Sequence, residues 1–274
     1  MLKIDNITIA YKDVPTVVNF SLDMAGGQIF SLVGESGSGK TTVIRAVLGL
    51  LAGGGKVTRG DILFNGKSLL KNTQEQWRNL RGSEISMIFQ DSGAMMNPTR
   101  KIGAVFTEYL QTHEKISKKD AWAKGEEMLE KMRLPSPDNI MRSYPFQLSG
   151  GMRQRVVIAI ALSCDPDLLI CDEPTTALDV TIQAKILELI RSIQKERGIS
   201  VIYITHDLGV VAKVADYVDV MYAGKIVETG TIDEIFYDPR HPYTWGLLSA
   251  MPDLDTADER LYTIPGSPPN LLHE

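Results

Sequence analysis

The feature that most constrains this sequence is a glycine-rich run at residues 34–41 (GESGSGKT), which follows an apolar segment at residues 28–33. The run fits the pattern G-x-x-x-x-G-K-[S/T], whose backbone amides cradle phosphate groups. The apolar segment predicts a strand, and residues 42–51 predict a helix. Strand, loop and helix in this order form the context that a phosphate loop requires.

Each part of this loop has a predicted task in binding a nucleoside triphosphate. The glycines allow the backbone conformations that aim successive amides at phosphate oxygens, and the following helix adds its positive end. Lys40 is predicted to reach the β- and γ-phosphates, the Thr41 hydroxyl to ligate Mg²⁺, and Thr42 to contact the α-phosphate. The predicted nucleotide-binding residues of the loop are Gly34, Glu35, Ser36, Gly37, Ser38, Gly39, Lys40, Thr41 and Thr42.

A second glycine-rich run occupies residues 148–155 (LSGGMRQR). Ser149, Gly150 and Gly151 precede an apolar helix, so their amides and hydroxyl form a second positive helix start. One chain has no evident need for two such anion sites. The run therefore predicts an ATPase whose site closes only when a second copy supplies the missing half.

An apolar strand at residues 168–172 ends in two carboxylates, Asp172 and Glu173. An ordinary buried strand would not carry such a pair without a task. Asp172 is predicted to serve the Mg²⁺ shell through a water molecule. The alternative is that both acids simply face solvent at the strand end.

These three motifs, in this order, resemble those of the nucleotide-binding subunit of an ABC transporter, and the resemblance covers nearly the whole chain. It implies that Glu173 orients and deprotonates the attacking water. It also implies that Gln90 touches Mg²⁺ and that water, and that His206 contacts the γ-phosphate. The implied catalytic residues are Glu173, His206, Gln90 and Lys40, and the implied Mg²⁺ ligands are Thr41, Gln90 and Asp172.

The same resemblance implies further nucleotide contacts. Tyr11 matches the aromatic residue that stacks on adenine, which suits a flat base. Ser149, Gly150 and Gly151 match the surface that meets the γ-phosphate bound by the opposite subunit. Met152 stands where glutamine is commoner, with little loss expected, because the amides and Ser149 contact the phosphate. Ala177, Leu178 and Asp179 match the loop that crosses the dimer interface.

The residues themselves leave simpler alternatives open at four of these positions. Gln90 at a strand end is unremarkable, and a lone histidine such as His206 is usually structural. Tyr11 could pack on the core as a strand-end tyrosine. Asp179 at a helix start could be only an N-cap.

After Ser149 the sequence predicts a helix at 152–163, a strand at 168–172, a helix at 181–197 and a strand at 200–205. This alternation indicates a mostly parallel sheet with helices on its faces, and the fold class predicted is α/β, a P-loop NTPase (RecA-like) core with a mostly parallel sheet. Alternating apolar residues at 2–11 and a tight turn at Asn65-Gly66 predict an antiparallel β subdomain at the N-terminus. Charged, helix-favouring sequence from 92 to 147 predicts an inserted helical subdomain, bounded at about 92–165. We expect an ABC ATPase domain at 1–235 and a C-terminal extension at 236–274.

Composition narrows the function classes. The chain has 274 residues with a net charge of −5, which argues against a nucleic-acid partner bound through a broad basic face. Its two cysteines, Cys164 and Cys171, make neither a disulfide framework nor a four-thiolate cluster. Apolar runs are too short to cross a bilayer, and the start lacks a signal-peptide layout. We therefore expect the chain to stay in the cytosol, and the family resemblance implies a peripheral subunit on the cytoplasmic face of the cell membrane.

The tail resembles that of one branch of the family, the oligopeptide, dipeptide and nickel importers. The segments that carry this are HPYT at 241–244, LLSAMP at 247–252 and IPGSPP at 264–269. The resemblance implies a head-to-tail dimer with a related but different ATPase chain, two transmembrane permease subunits, and a solute-binding protein acting indirectly. Met95, Met96 and Pro98 lie in the segment that is expected to contact the permease, residues 90–98 (QDSGAMMNP). The sequence of this segment differs from the one that is usual in the branch.

Peptides are the first expected solute, and nickel or a chelated metal is the alternative. A soluble ABC ATPase acting on DNA or ribosomes is a weaker rival, since repair versions carry long coiled coils and translation versions two cassettes in one chain. A non-hydrolysing nucleotide-binding regulator is another alternative function. Intact Glu173 and His206 argue against that last function.

Overall fold

The computed structural model describes residues 1–90, 96–175 and 179–251. In chain order the strands are β1 (Leu2–Tyr11), β2 (Val14–Met24), β3 (Ile29–Val33), β4 (Lys56–Phe64), β5 (Lys67–Ser68), β6 (Ile85–Ile88), β7 (Leu168–Asp172), β8 (Ser200–Thr205), β9 (Tyr217–Tyr222) and β10 (Lys225–Thr231). The helices are α1 (Lys40–Val47), α2 (Gln74–Leu80), α3 (Ile102–His113), α4 (Lys118–Lys131), α5 (Pro137–Arg142), α6 (Gly150–Leu162), α7 (Val180–Arg197), α8 (Leu208–Val214), α9 (Ile232–Tyr237) and α10 (Pro242–Ser249), with a 3-10 turn at Pro145–Gln147.

The chain divides into two compact units. The first comprises Met1–Asn72 and Ser200–Glu274, and the second comprises Thr73–Ile199.

An antiparallel sheet in the first unit has the strand order β2-β1-β4-β5. Alternating apolar residues of β1 are buried, which produces the half-buried strand expected from the sequence. Asn65 and Gly66 join β4 to β5 with φ values of 48° and 77°. Positive φ at both central residues matches the twist of a two-residue hairpin, so the tight turn predicted at Asn65-Gly66 is confirmed.

In the other sheet of the first unit, β3 lies between β8 and β9, and all five of its residues are buried. It pairs in parallel with β8, Val33 opposite Thr205, and with β9, Phe30 opposite Tyr217. β9 pairs antiparallel with β10. A continuous apolar strand buried on both faces is typical of a parallel sheet, and its carboxyl end delivers the chain to residue 34.

The second unit combines two parallel strands with a set of helices. β6 pairs with β7, Ile85 opposite Leu168. Helices α3, α4 and α5 pack through buried apolar residues and two glycines. A side chain at Gly103 would lie 2.3 Å from the Trp122 ring, and one at Gly125 would lie 2.6 Å from Met141 Cε. Residues 102–142 therefore contain helices with buried apolar faces, and their assignment to an inserted subdomain stays a prediction.

The bounds of individual elements agree with the sequence to within a few residues. The strands predicted at 168–172 and 200–205 are observed with those bounds. The helix predicted at 152–163 begins two residues earlier, at Gly150, because Ser149 caps it. The helix predicted at 42–51 ends at Val47, since the chain turns at Leu48 and Gly49 (φ 62°).

The sequence also led to expectations about membrane-spanning helices and about the two cysteines. Every helix in the described ranges falls short of the length and apolar character that a bilayer crossing requires. Both cysteines are free thiols, and burial raises the pKa of each, to about 11 for Cys164. Raised thiol pKa values keep these side chains protonated and weakly reactive at neutral pH.

Candidate nucleotide-binding and hydrolytic site

The phosphate loop follows β3 and leads into α1. Gly34, Gly37 and Gly39 have φ values of 153°, 84° and 104°, a region that side chains rarely adopt. A Cβ at Gly34 would lie 2.1 Å from the carbonyl oxygen of Met221 in β9. Glycine at 34 therefore lets the loop start directly against the neighbouring strand. Ser36 and Gly37 form its exposed tip.

Lys40 points back into this loop. Its Nζ donates hydrogen bonds to the carbonyl oxygens of Gly34 (2.6 Å) and Glu35 (2.7 Å), and lies 3.3 Å from Ser38 Oγ. The side chain is only 6% exposed. Thr41 and Thr42 are half-buried in the first turn of α1. The loop and the first turn of α1 therefore gather an ammonium group, the hydroxyl side chains of Ser38, Thr41 and Thr42, and the positive end of a helix.

His206 lies on the same side of the parallel strands as the phosphate loop. It follows β8 directly, and Thr205 is opposite Val33, the residue before Gly34. Parallel neighbours end at one edge, so this pairing places the start of the loop and His206 at the same edge. Thr205 Oγ1 accepts a hydrogen bond from the amide of Asp207, which caps α8. His206 itself is exposed.

Tyr11 ends β1, where its ring covers a glycine turn. A Cβ at Gly55 would lie 2.7 Å from the ring, so glycine there makes room for the tyrosine. The side chain is half-buried, with one part packed on the turn. Stacking on adenine stays a prediction for this residue.

Within the second unit, the two strand ends bring Gln90 and Glu173 together. β6 and β7 are parallel with Ile88 opposite Cys171, so Gln90 and Glu173 emerge at the same edge. Gln90 Nε2 donates a hydrogen bond of 2.8 Å to Glu173 Oε2. Glu173 has a φ of 45°, which turns its backbone sharply out of the strand. Asp172 ends β7 and is 6% exposed.

The signature run begins α6 with exposed groups. Ser149 is the N-cap, and its Oγ accepts a hydrogen bond of 3.3 Å from the amide of Met152. Ser149 and Gly150 are exposed in the chain alone. A Cβ at Gly151 would lie 2.8 Å from Ile182 Cγ2, in the first turn of α7. Two helix N-termini thus lie side by side, one capped by the Ser149 hydroxyl and the other by the Asp179 carboxylate.

Asp179 is the N-cap of α7, and its Oδ1 accepts a hydrogen bond of 2.9 Å from the amide of Ile182. The capping alternative left open by the sequence is therefore present. Ala177 and Leu178 lie outside the described residues, as do residues 91–95, with Met95, and the IPGSPP run. Of the expected permease contact, Met96 is buried at 8% exposure and Pro98 is exposed.

Substitutions at Asp179 separate capping from an interface role. Because Asn caps a helix as well as Asp does, we expect Asp179→Asn to leave the free energy of unfolding within about 0.5 kcal/mol, and Asp179→Ala to lower it by about 1 kcal/mol. Chemical denaturation of the purified chain measures both. A loss of ATP turnover in the asparagine variant would then reflect the missing charge at a subunit interface. Unchanged turnover in both variants would contradict an interface role and leave helix capping as the role of Asp179.

Comparison with known proteins decides the family. The family described as ABC transporter matches residues 17–176, more than half of the chain. The chain belongs to the ABC transporter family. The region described as "Oligopeptide/dipeptide transporter, C-terminal region" matches residues 227–274 of this ABC protein. The resemblance found in the sequence, including its branch, is therefore confirmed.

Two similar ABC proteins are named as ATP-binding proteins of peptide transport. The chain is 53% identical to the oligopeptide transport ATP-binding protein OppD of Bacillus subtilis, covering 100% of this chain and 78% of the relative. It is 48% identical to the dipeptide transport ATP-binding protein DppD of Lactococcus lactis, covering 100% of this chain and 80% of the relative.

Solved ABC structures share the fold. One is a dimeric ATP-binding cassette in a post-hydrolysis state bound to ADP and Pi, with a TM-score of 0.75 and 26% identity over 85% of this chain and 99% of that chain. Another is cbiO1 from Clostridium perfringens, part of the ABC transporter complex cbiONQ, with a TM-score of 0.76 and 27% identity over 86% of this chain and 90% of that chain. The predicted fold class, a P-loop α/β ATPase, and the predicted enzyme class are confirmed.

One residue that bonds to the phosphate loop escaped the sequence analysis. The hydroxyl of Tyr243 accepts a hydrogen bond from the amide of Glu35 over a separation of 208 residues. The HPYT run contains this tyrosine, but its resemblance to the importer branch implies no contact with the loop. No local pattern in the sequence links it to the loop.

Proposed function

We propose that the chain is the ATP-hydrolysing subunit of an ABC importer that carries oligopeptides or dipeptides across the cell membrane. The observation that carries this proposal is the match of residues 227–274 to the C-terminal region of oligopeptide/dipeptide transporters, in a chain with an intact phosphate loop. Relatives named for oligopeptide and dipeptide transport, 53% and 48% identical, support peptides over nickel.

In this proposal ATP is the substrate, and the phosphate loop binds its phosphates. The oxygens that surround Lys40 Nζ, at 2.6 Å and 2.7 Å, keep the ammonium group at the loop, where it would meet the β- and γ-phosphates. The amides of the glycine-rich turn and the N-terminus of α1 add partial positive charge. Tyr11 would stack on the adenine ring through the face that its packing on Gly55 leaves accessible.

Mg²⁺ fits the chemistry of the available donors. Thr41 offers a hydroxyl, Gln90 an amide oxygen and Asp172 a carboxylate, and Mg²⁺ prefers such hard oxygen ligands. Bound there, the ion would neutralise negative charge on the phosphates.

Glu173 is assigned the base that orients and deprotonates the attacking water. The hydrogen bond from Gln90 Nε2 to Glu173 Oε2, 2.8 Å long, orients the carboxylate at the end of β7. His206 is assigned a contact with the γ-phosphate, which its position at the loop edge of the strands supports. Together these groups would orient water for in-line attack, the geometry that phosphoryl transfer to water requires.

The site is proposed to close between two subunits arranged head to tail. Ser149, Gly150 and Gly151 would face the γ-phosphate bound by the other subunit, and Asp179 would lie near that interface. Their support is the exposed N-terminus of α6, because a helix N-terminus carries the partial positive charge that suits an anion. Phosphate release would remove the charge that holds the halves together.

The proposed assembly contains a related but different ATPase chain, two transmembrane permease subunits and an indirectly coupled solute-binding protein, with no nucleic acid. The chain would be a peripheral subunit on the cytoplasmic face of the membrane. Motion would pass through the Gln90 region and the helices of residues 92–165.

Reconstitution tests the solute and the subunit composition. Proteoliposomes are prepared with this chain and with the ATPase and permease subunits that neighbouring genes encode. The solute-binding protein is added after loading with a mixed oligopeptide pool or with Ni²⁺. We expect ATP-dependent uptake of peptides and stimulation of ATP turnover by the peptide-loaded protein alone. Stimulation by Ni²⁺ and not by peptides would overturn the peptide assignment. Full transport with this chain as the sole ATPase would overturn the heterodimer.

A further inference from the structure

Tyr243 joins the C-terminal extension to the phosphate loop. Its hydroxyl oxygen accepts a hydrogen bond of 3.0 Å from the backbone amide of Glu35, the second residue of the loop. Glu35 N–H is one of the amides at the start of the turn, so this bond restrains a peptide group in the part of the chain that binds phosphate. The tyrosine side chain is 8% exposed.

The restrained peptide group also holds Lys40. The unit between Gly34 and Glu35 contains the Gly34 carbonyl, which accepts a hydrogen bond of 2.6 Å from Lys40 Nζ. A trans peptide is planar, and its C=O and N–H point in opposite directions. Rotation of this plane would therefore break both bonds together. Tyr243 on one side thus fixes the orientation of the carbonyl that positions Lys40 on the other.

The tyrosine is itself firmly mounted in the first unit. It belongs to a buried apolar cluster that includes Val33, at the end of β3, and Val220 in β9. Its ring lies 4.5 Å from the ring of Tyr222, centroid to centroid. A hydroxyl on such a rigid ring holds its partner with little loss of side-chain entropy, since the ring is already ordered.

The turn before α10 explains why the tyrosine follows a histidine and a proline. The carboxylate of Glu228 accepts hydrogen bonds from the amides of Arg240 (2.7 Å) and His241 (3.1 Å). His241 Nδ1 accepts a hydrogen bond from the amide of Tyr243, and Pro242 occupies the first turn, where its missing N–H has no helical partner to lose. His241 and Pro242 thus help to fix where α10 starts.

The ionisation states of this linkage suit a phosphate site. Burial raises the pKa of Tyr243 to about 12, so the phenol stays neutral and adds no negative charge beside the loop. Burial opposes ionisation of Glu228, but hydrogen bonds with the amides of Arg240 and His241 contribute to a pKa below its usual value. Glu228 therefore remains a charged acceptor at neutral pH.

We propose that Tyr243 is a positioning residue for ATP binding: it holds the Gly34–Glu35 peptide in the orientation that places Lys40 for the β- and γ-phosphates. This inference rests on the proposed ATP-binding function of the loop. It assigns the C-terminal extension a direct part in the nucleotide site of its own subunit.

The test compares two tyrosine-to-phenylalanine substitutions in the full chain. Tyr243→Phe removes the hydroxyl that bonds to Glu35, and Tyr222→Phe removes one from the adjoining ring of the same cluster. Loss of one hydrogen bond predicts that Tyr243→Phe weakens ATP binding by about 3- to 10-fold in titration calorimetry. Tyr222→Phe is expected to bind ATP like the parent chain.

A second ligand separates positioning from general structural damage. AMP lacks the phosphates that Lys40 contacts, so Tyr243→Phe should leave its dissociation constant unchanged while that of ATP rises. Equal weakening of ATP and AMP, or equal effects of the two tyrosine substitutions, would overturn the inference. Thermal midpoints of the nucleotide-free variants verify folding.

Glu228→Gln provides an independent variant that leaves Tyr243 in place. Loss of the charged acceptor loosens the turn before α10, and we expect ATP affinity to fall by less than in Tyr243→Phe, with AMP binding unchanged. An unaltered ATP dissociation constant in both Tyr243→Phe and Glu228→Gln would contradict the proposed linkage. Failure of the parent chain to bind ATP at all would instead refute the proposed function, so the two failures are distinct.

Discussion

Replacing Glu173 with glutamine is expected to lower ATP turnover by about 10²- to 10⁴-fold, the range that a positioned general base contributes. Glutamine keeps the shape of the side chain and an oxygen that can accept the hydrogen bond from Gln90 Nε2 (2.8 Å to Glu173 Oε2). It cannot take a proton from water. Because the phosphate loop is unchanged, ATP binding should persist, and the closed dimer should accumulate. Steady-state phosphate release and size-exclusion chromatography with ATP measure these two results.

Glu188→Gln is the matched control for this substitution. Glu188 is an exposed residue of α7, so the same chemical change there removes a surface charge only. We expect turnover close to that of the parent complex. Normal turnover in Glu173→Gln would remove Glu173 from the role of base, and loss of ATP binding would mean that its carboxylate supports the bound nucleotide.

A second large effect is expected at Asp219, a buried carboxylate in β9. The residue is 1% exposed, and Thr229 Oγ1 donates it a hydrogen bond of 2.6 Å. Burial raises its pKa from 3.8 to about 7, although the bond from Thr229 partly opposes the shift. Between those pH values the folded chain binds more protons than the unfolded chain, so this residue's contribution to the free energy of unfolding falls as pH rises.

Asp219→Asn removes that titration. The free energy of unfolding of the variant relative to the parent chain should therefore increase by roughly 3 kcal/mol between about pH 5 and pH 8, from the linkage of pKa to stability. Urea denaturation at both pH values measures the difference. Asp23→Asn, at an exposed position of β2, is the control for the same chemical change on the surface. An equal pH dependence in both variants would show that Asp219 titrates normally.

Local patterns were sufficient for much of this fold. The alternation in β1, the Asn65-Gly66 turn and the continuous apolar strands β7 and β8 each depend on residues close together in sequence. The phosphate loop and the signature run were recognised for the same reason, because a helix N-terminus that binds phosphate needs its glycines and capping serine within a few positions.

Other parts of the structure depend on contacts that no local pattern encodes. Strands β9 and β10 were not predicted from local patterns, although β9 lies beside β3 and supplies the Met221 carbonyl against which Gly34 fits. The bond from Glu35 to Tyr243 joins residues 208 positions apart. The resemblance implied that Gln90 and Glu173 both act on the attacking water, but it did not predict the hydrogen bond between them. Adjacent strand ends bring the two residues together, and periodicity does not reveal which strands are neighbours.

The pairing of β3 sets an order of events during synthesis of the chain. Its parallel neighbours begin at Ser200 and Tyr217, and the hydroxyl that restrains its loop arrives with Tyr243. At about 5–20 residues per second, a ribosome needs roughly 10–40 seconds to travel from Glu35 to that tyrosine. Until Ser200–Thr205 has been made, the nascent strand has neither of its two parallel neighbours. The phosphate-binding turn of this protein is therefore among its earliest residues to be made and among the last to be secured.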